Sequence, residues 1–197
     1  MLQKSNLWKI TSVFFNEPDK GFGLLKISGK TDLAHTSVKN HLETLEELGI
    51  IEKAENEISQ KPRFYYRAKR RSEDFLHHKK IYNIDILKKS GVIDHIKENC
   101  YPNSIVLFGS FFRGEDNSES DIDIFVECAQ KKIDLTRFEF QVNRKISLMF
   151  RKDFKKLPEE LKNNIMNGIV LYGFLEGFDA REYNTRSEQD KISKEDG

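Results

Sequence analysis

The sequence predicts an α+β protein in two parts, and three observations carry that expectation. Residues 1 to about 70 read as short helices followed by a basic, strand-like hairpin. Residues from about 91 to 180 read as mixed helix and strand, with a sharp strand–turn–strand pattern near the middle. A charged helical stretch, Ser72 to Ser90, joins them. The expected division is 1–71, a linker helix over 72–90, a second domain over 91–180, and a tail over 181–197. That tail is polar, lacks periodic apolar residues and is expected to be disordered.

In the first part, Leu7, Ile10 and Phe14 recur near helical spacing across Asn6 to Phe15, and Glu17-Pro18 ends that helix. A second short helix is expected from Gly23 to Gly29. A third spans Val38 to Leu48, with Thr36 or Ser37 as its cap and Gly49 as its stop. Leu42, Leu45 and Leu48 share one face of it, while Thr36, Ser37, Lys39, Asn40 and His41 occupy the other. Ile50 to Lys53 and Arg63 to Arg67 then read as strands joined by a polar loop, Ala54 to Pro62. Arg63, Arg67, Lys69, Arg70 and Arg71 make the end of this hairpin strongly basic.

Three helices and a hairpin resemble a winged helix-turn-helix domain over roughly residues 5 to 70. The resemblance implies DNA as a partner. Thr36, Ser37, Lys39, Asn40 and His41 would meet base edges in the major groove, and Arg63 and Arg67 would meet phosphates. A small helical domain used for dimerisation or docking fits the same pattern. A gel shift that weakens steeply with salt separates the two.

The linker helix carries Phe75, Leu76, Ile81, Ile84 and Leu87, which suit a homodimer contact or packing on either domain. In the second domain, Ser104 to Phe108 (SIVLF) is an apolar, β-branched run expected to form a buried strand. It leads into Gly109-Ser110, a short helical turn at 111–115, a polar loop at 116–120, and a second strand from Asp121 to Val126. Side chains two apart on a strand share a face, so Asp121 and Asp123 project together while Ile122, Ile124 and Val126 turn to the core. Paired carboxylates repel unless a cation lies between them. Magnesium suits them, because it takes oxygen ligands and shares them with substrate phosphates. Gly109 permits a sharp turn and close backbone approach to a phosphate, and Ser110 adds a hydroxyl and N–H groups. Arg113 either adds positive charge near a triphosphate or pairs with Glu115.

The run Gly109-Ser110-Phe111-Phe112-Arg113-Gly114, followed by Ser120-Asp121-Ile122-Asp123, resembles the signature of minimal nucleotidyltransferases of the DNA polymerase β superfamily. The resemblance spans about residues 91 to 175 and extends through Leu157 to Leu161 and Gly168 to Tyr172. It implies a small mixed sheet with helices on one side. It further implies Gly109, Ser110, Arg113 and Ser120 on the nucleotide, and Asp121 and Asp123 as catalytic ligands of magnesium (Mg2+). The implied reaction transfers a nucleoside monophosphate from a nucleoside triphosphate such as ATP, with pyrophosphate leaving.

One position departs from the pattern. Family members supply a third carboxylate from a later strand, expected here at Lys145 to Phe150, and by register the acidic position falls on Ser147. Serine is uncharged and a poor base. Glu127, Glu139 and, beyond the strand, Asp153 are substitutes in the sequence. Two function classes follow. One is an enzyme that adds AMP to a partner protein, in the manner of an antitoxin modifying its toxin. The other is a DNA-binding transcriptional regulator whose second domain only binds nucleotide or dimerises.

Composition bounds both. The net charge is +1, so nucleic-acid contact must come from a local patch. No apolar run approaches a membrane span of about 20 residues, and MLQKSNLWKI has no signal-peptide pattern, so a cytoplasmic protein is expected. Cys100 and Cys128 form no CxxC pair, and no two histidines have the HExxH spacing, so zinc is not indicated.

Overall fold

The computed structural model describes residues 5–56 and 63–176, with the side chains of Asn56 and Arg63 outside that description. The centre of the hairpin loop and the tail expected to be disordered lie outside the described residues.

The N-terminal unit begins with α1 (Asn6–Asn16), capped by Ser5, whose hydroxyl accepts from the N–H of Trp8. Ile10, Val13 and Phe14 recur at helical spacing and are buried. α2 (Leu24–Thr31) ends on Asp32, which takes the left-handed conformation. α3 spans His35–Glu47 and follows an extended Ala34 that provides no side-chain cap. Thr36 and Ser37 therefore lie inside its first turn and do not cap it. The chain is already extended at Ala34, so the helix opens before either hydroxyl is reached. Val38, Leu42 and Leu45 form the buried face, whereas Leu48 sits at the helix end and is 43% exposed.

β1 (Ile51–Asn56) and β2 (Arg63–Ala68) pair antiparallel, from Ile51 opposite Ala68 to Asn56 opposite Arg63. Phe22 adds a third row beside β2, exchanging two backbone hydrogen bonds of 2.9 Å with Tyr66. The neighbouring Gly21 is held to a hydrogen side chain by the Tyr65 ring, which would lie 2.5 Å from any β-carbon there. Helices and hairpin enclose one core, with the Phe14 and Phe22 rings edge-on at 5.7 Å.

α4 (Glu73–Ser90) has Ser72 as its cap, Glu73 and Asp74 in its first turn, and Lys88 and Lys89 in its last. Each charge complements the helix dipole at its own end. Phe75 and Tyr82 enter the N-terminal core, and Leu87 enters the second core. The linker helix is thus a wall common to both units. The end of α1 is pinned to it, since the Tyr82 hydroxyl donates to Asn16 Oδ1 at 3.0 Å.

The second unit comprises α5 (Val92–Cys100), β3 (Ser104–Phe108), α6 (Gly109–Arg113), β4 (Ile122–Glu127), α7 (Thr136–Val142), β5 (Ile146–Arg151), α8 (Glu159–Met166) and β6 (Ile169–Gly173). Its sheet runs β5-β4-β3-β6. β3 is antiparallel to β4 and β6, and β4 is parallel to β5, so the sheet is mixed. This α+β arrangement fits a polymerase-β-like domain. On one face Ile105, Leu107, Ile122, Ile124 and Val126 pack with Leu87, Ile96, Phe111 and Phe138. On the other, Val106, Phe108 and Phe125 pack with Phe154 and Leu157 of the turn before α8 and with Ile165 of α8 itself. Helices on one side only was the expectation; Phe125, fully buried on the opposite face, requires this second cover. Among the described residues no helix is long and apolar enough to cross a membrane.

Candidate active site

β3 is buried along its whole length and delivers the chain to Gly109 at the sheet's end. Gly109 has φ +77°, a left-handed conformation that favours glycine. A β-carbon there would stand 2.5 Å from Oδ2 of Asp123. Glycine is thus required twice, by its backbone angle and by the carboxylate against it. The turn continues through Ser110 into α6, whose Phe111 and Phe112 are buried and whose end is the left-handed Gly114.

Phe108 pairs with Asp123 on β4, and Asp123 pairs with Ser147 on β5. These three residues form one row across the sheet, with Asp121 one step before β4 on the same side. Asp121 is exposed and Asp123 half-buried. Burial, then the negative charge of Asp121, push the Asp123 carboxyl above the usual range, against an opposing pull from Arg113. Such a carboxylate gains from a cation at its side.

The predicted residues around this pair have definite partners. Arg113 Nε donates to Glu115 Oε2 at 2.7 Å, the second of its two expected roles. The Ser120 hydroxyl donates to Asn117 Oδ1 and accepts from the Asn117 N–H, each at 3.1 Å, closing the loop before Asp121. A cleft of about 490 Å³ adjoins Asp121, lined by Ser118, Ser120, Glu139, Arg144 and Lys145 among others.

Ser147 occupies the register position opposite Asp123 and is exposed. The substitute acids are placed elsewhere. Glu127 is at the far end of β4, accepting from the Ser104 hydroxyl at 2.9 Å and the Phe154 N–H at 3.1 Å. Asp153 follows β5 and caps the turn at Lys155. Glu139 lines the Asp121 cleft, with one oxygen accepting from the Ile146 N–H at 2.9 Å. Among the described residues no group of three or more His, Cys, Asp or Glu side chains is arranged to hold a metal ion. Asp121 and Asp123 are then a candidate donor set of two carboxylates. It fits magnesium, which keeps several waters and binds through one or two carboxylates plus substrate phosphates.

On α3, Thr36, Lys39 and Asn40 are exposed, and Ser37 and His41 half-exposed. In the hairpin, Arg67 Nε pairs with Glu52 at 2.5 Å and Arg70 pairs with Asp19, so part of the basic cluster is internally neutralised.

Asp116, expected in a polar loop, is 2% exposed and ion-paired with Lys79 at 3.0 Å. Asn83 Nδ2 donates to the same carboxylate at 2.8 Å and to the Phe111 carbonyl at 2.7 Å. The signal was a polar stripe at helical spacing on α4, indistinguishable in sequence from a solvated face.

A search of curated proteins and a search of solved structures each returned no match. Residues 91–174 match the family model described as polymerase beta, nucleotidyltransferase, which covers α5 to β6 together with Gly109, Ser110, Asp121 and Asp123. That match supports a domain of the nucleotidyltransferase superfamily in this segment, and a transferase activity in general.

Proposed function

We propose that the 91–174 domain binds a nucleoside triphosphate with magnesium and transfers its nucleoside monophosphate, AMP from ATP, to a partner protein. The observation that carries this reading is the Asp121/Asp123 pair with Gly109 packed against Asp123, all within the matched segment. In this reading Asp121 and Asp123 hold magnesium, which supplies charge neutralisation for the triphosphate. Gly109 leaves room for a phosphate beside the carboxylates, and Ser110 presents its hydroxyl and N–H to phosphate oxygens. Arg113 is positioned to leave Glu115 for a triphosphate oxygen. The cleft beside Asp121 receives the acceptor, and a protein acceptor suits its open, polar lining.

The N-terminal unit fits a winged helix-turn-helix domain, with α3 as the DNA-reading helix and the hairpin as its wing. The exposure of Thr36, Lys39 and Asn40 supports this, as does the third row that Phe22 adds to the hairpin. Together the two units describe a DNA-bound regulator, such as an antitoxin that modifies its toxin, acting singly or as a homodimer.

One observation favours a second reading. Ser147 opposite Asp123 leaves the site without a third carboxylate, which suits a domain that binds nucleotide and regulates without turnover. The experiment is incubation of the full chain with ATP labelled at the α-phosphate and magnesium, with and without the product of an adjacent gene. Label on the second protein is expected. Magnesium–ATP binding by calorimetry without label transfer supports the second reading. Unchanged magnesium–ATP affinity in Asp121→Asn overturns both.

A further inference from the structure

α4 presents Leu76, Lys79, Lys80 and Asn83 along one stripe, and each touches α6 or the loop after it. A β-carbon at Gly114 would stand 2.7 Å from the Leu76 carbonyl oxygen, so the end of α6 rests directly on the α4 backbone. Lys80 Nζ lies 3.9 Å from the centre of the Phe112 ring. Lys79 Nζ meets the Asp116 carboxylate at 3.0 Å and donates to the Asp116 carbonyl as well. Asn83 joins the same carboxylate to the Phe111 carbonyl.

Lys79 is 0% exposed and Asn83 1%. An apolar contact would join two helices with less desolvation cost than a buried lysine, carboxamide and carboxylate. Directional bonds do what an apolar contact does not: they fix where particular atoms lie. The atoms fixed here are the Phe111 carbonyl, in the turn that opens with Gly109-Ser110, and Asp116, at the head of the loop leading to Asp121. Neither Lys79 nor Asn83 lies within residues 91–174. The helix that carries them also contributes Phe75 and Tyr82 to the N-terminal core.

We propose that Lys79 and Asn83 are positioning residues of the nucleotidyl site, holding the Gly109-Ser110 turn in place beside Asp123. The working site thereby extends onto a helix outside the matched segment. This rests on the nucleotide-binding reading above. Asn83 acts through the turn and Lys79 through Asp116, whereas Asp123 is anchored separately in β4 between Ile122 and Ile124. Their removal then weakens nucleotide binding while sparing metal binding.

The test uses the full chain, with Asn83→Leu and with the double variant Lys79→Met/Asp116→Asn, which leaves no buried charge unpaired. Manganese alone and magnesium–ATP are titrated separately by calorimetry, and folding is followed by thermal melting. The expected result is manganese affinity near the wild-type value, with magnesium–ATP affinity reduced about tenfold or more. Parallel loss of both affinities indicates a purely structural role and overturns the inference, as does unchanged magnesium–ATP affinity in whichever variant folds. Failure of the wild-type chain to bind magnesium–ATP overturns the nucleotide reading itself, and the inference with it.

Discussion

Gly109 and Asp123 occupy adjoining space that no side chain at position 109 can share, because a β-carbon there would lie 2.5 Å from Asp123 Oδ2. The φ of +77° at Gly109 adds a second constraint. Gly109→Ala is expected to cost about 1–3 kcal/mol of stability through backbone strain. It is also expected to reduce magnesium–ATP affinity, since the carboxylate must swing away. Thermal melts and calorimetry read the two effects, and an unchanged affinity counts against a phosphate-binding role for this turn.

Asp123 gives a pH signature. Burial and the charge of Asp121 raise its folded pKa above the ordinary 3.8, against the pull of Arg113. The stabilising contribution is present below the unfolded value and is lost as pH rises through the folded value. Metal-free Asp123→Asn is therefore expected to melt above wild type at neutral pH, with the two converging as pH falls toward 3.8. If the pair holds magnesium, the ion is expected to raise the wild-type melting temperature at neutral pH, and that gain is expected to fade on acidification as the carboxylate takes its proton. A variant melting below wild type at neutral pH contradicts the electrostatic account.

The strands that build this site were legible because their apolar runs are short, β-branched and bounded by turn residues: Ser104 to Phe108 is β3, and Ile122 opens β4 one residue after the predicted start. The register assigning Ser147 was legible too, since Asp123 and Ser147 are direct parallel partners. The role of α4 was not. Lys79, Lys80 and Asn83 carry charge or amide groups, which sequence patterning assigns to solvent, and only packing shows Lys79 and Asn83 buried against Asp116. Nor was the start of α3, where an extended Ala34 overrode the capping preference of Thr36 and Ser37.

Ser147→Asp tests the missing carboxylate. The position is exposed and lies beside Asp123 on a parallel strand. A third acid there is expected to destabilise the metal-free chain through like-charge repulsion. It is also expected to tighten manganese binding and to raise the rate of label transfer from ATP. A variant that binds metal no better than wild type places the third-ligand position elsewhere, with Glu119 and Glu139 the other acids lining the Asp121 cleft.

Lys79→Met alone leaves Asp116 as a buried carboxylate without its cation, an event that typically costs about 3–5 kcal/mol. The double variant Lys79→Met/Asp116→Asn removes both charges and is expected to recover most of that loss. Denaturant melts of the two single variants and the double variant give the coupling energy. Equal stability of Lys79→Met and wild type contradicts a matched, buried pair.

The DNA-binding reading assigns unequal weight to the basic residues of the N-terminal unit. Lys39 is exposed on α3, whereas the Arg67 guanidinium is already held by Glu52 at 2.5 Å across the hairpin. A cation that must first leave a carboxylate contributes less to phosphate binding than a free one. Lys39→Ala is expected to weaken DNA binding and, as a base-edge contact, to relax sequence preference, while lowering the salt slope by about one through the lost charge. Arg67→Ala is expected to have a smaller effect, and Glu52→Gln, which frees Arg67, to strengthen binding. Gel shifts across a salt series measure all three. A chain that shifts no DNA at low salt leaves the N-terminal unit as a docking or dimerisation domain.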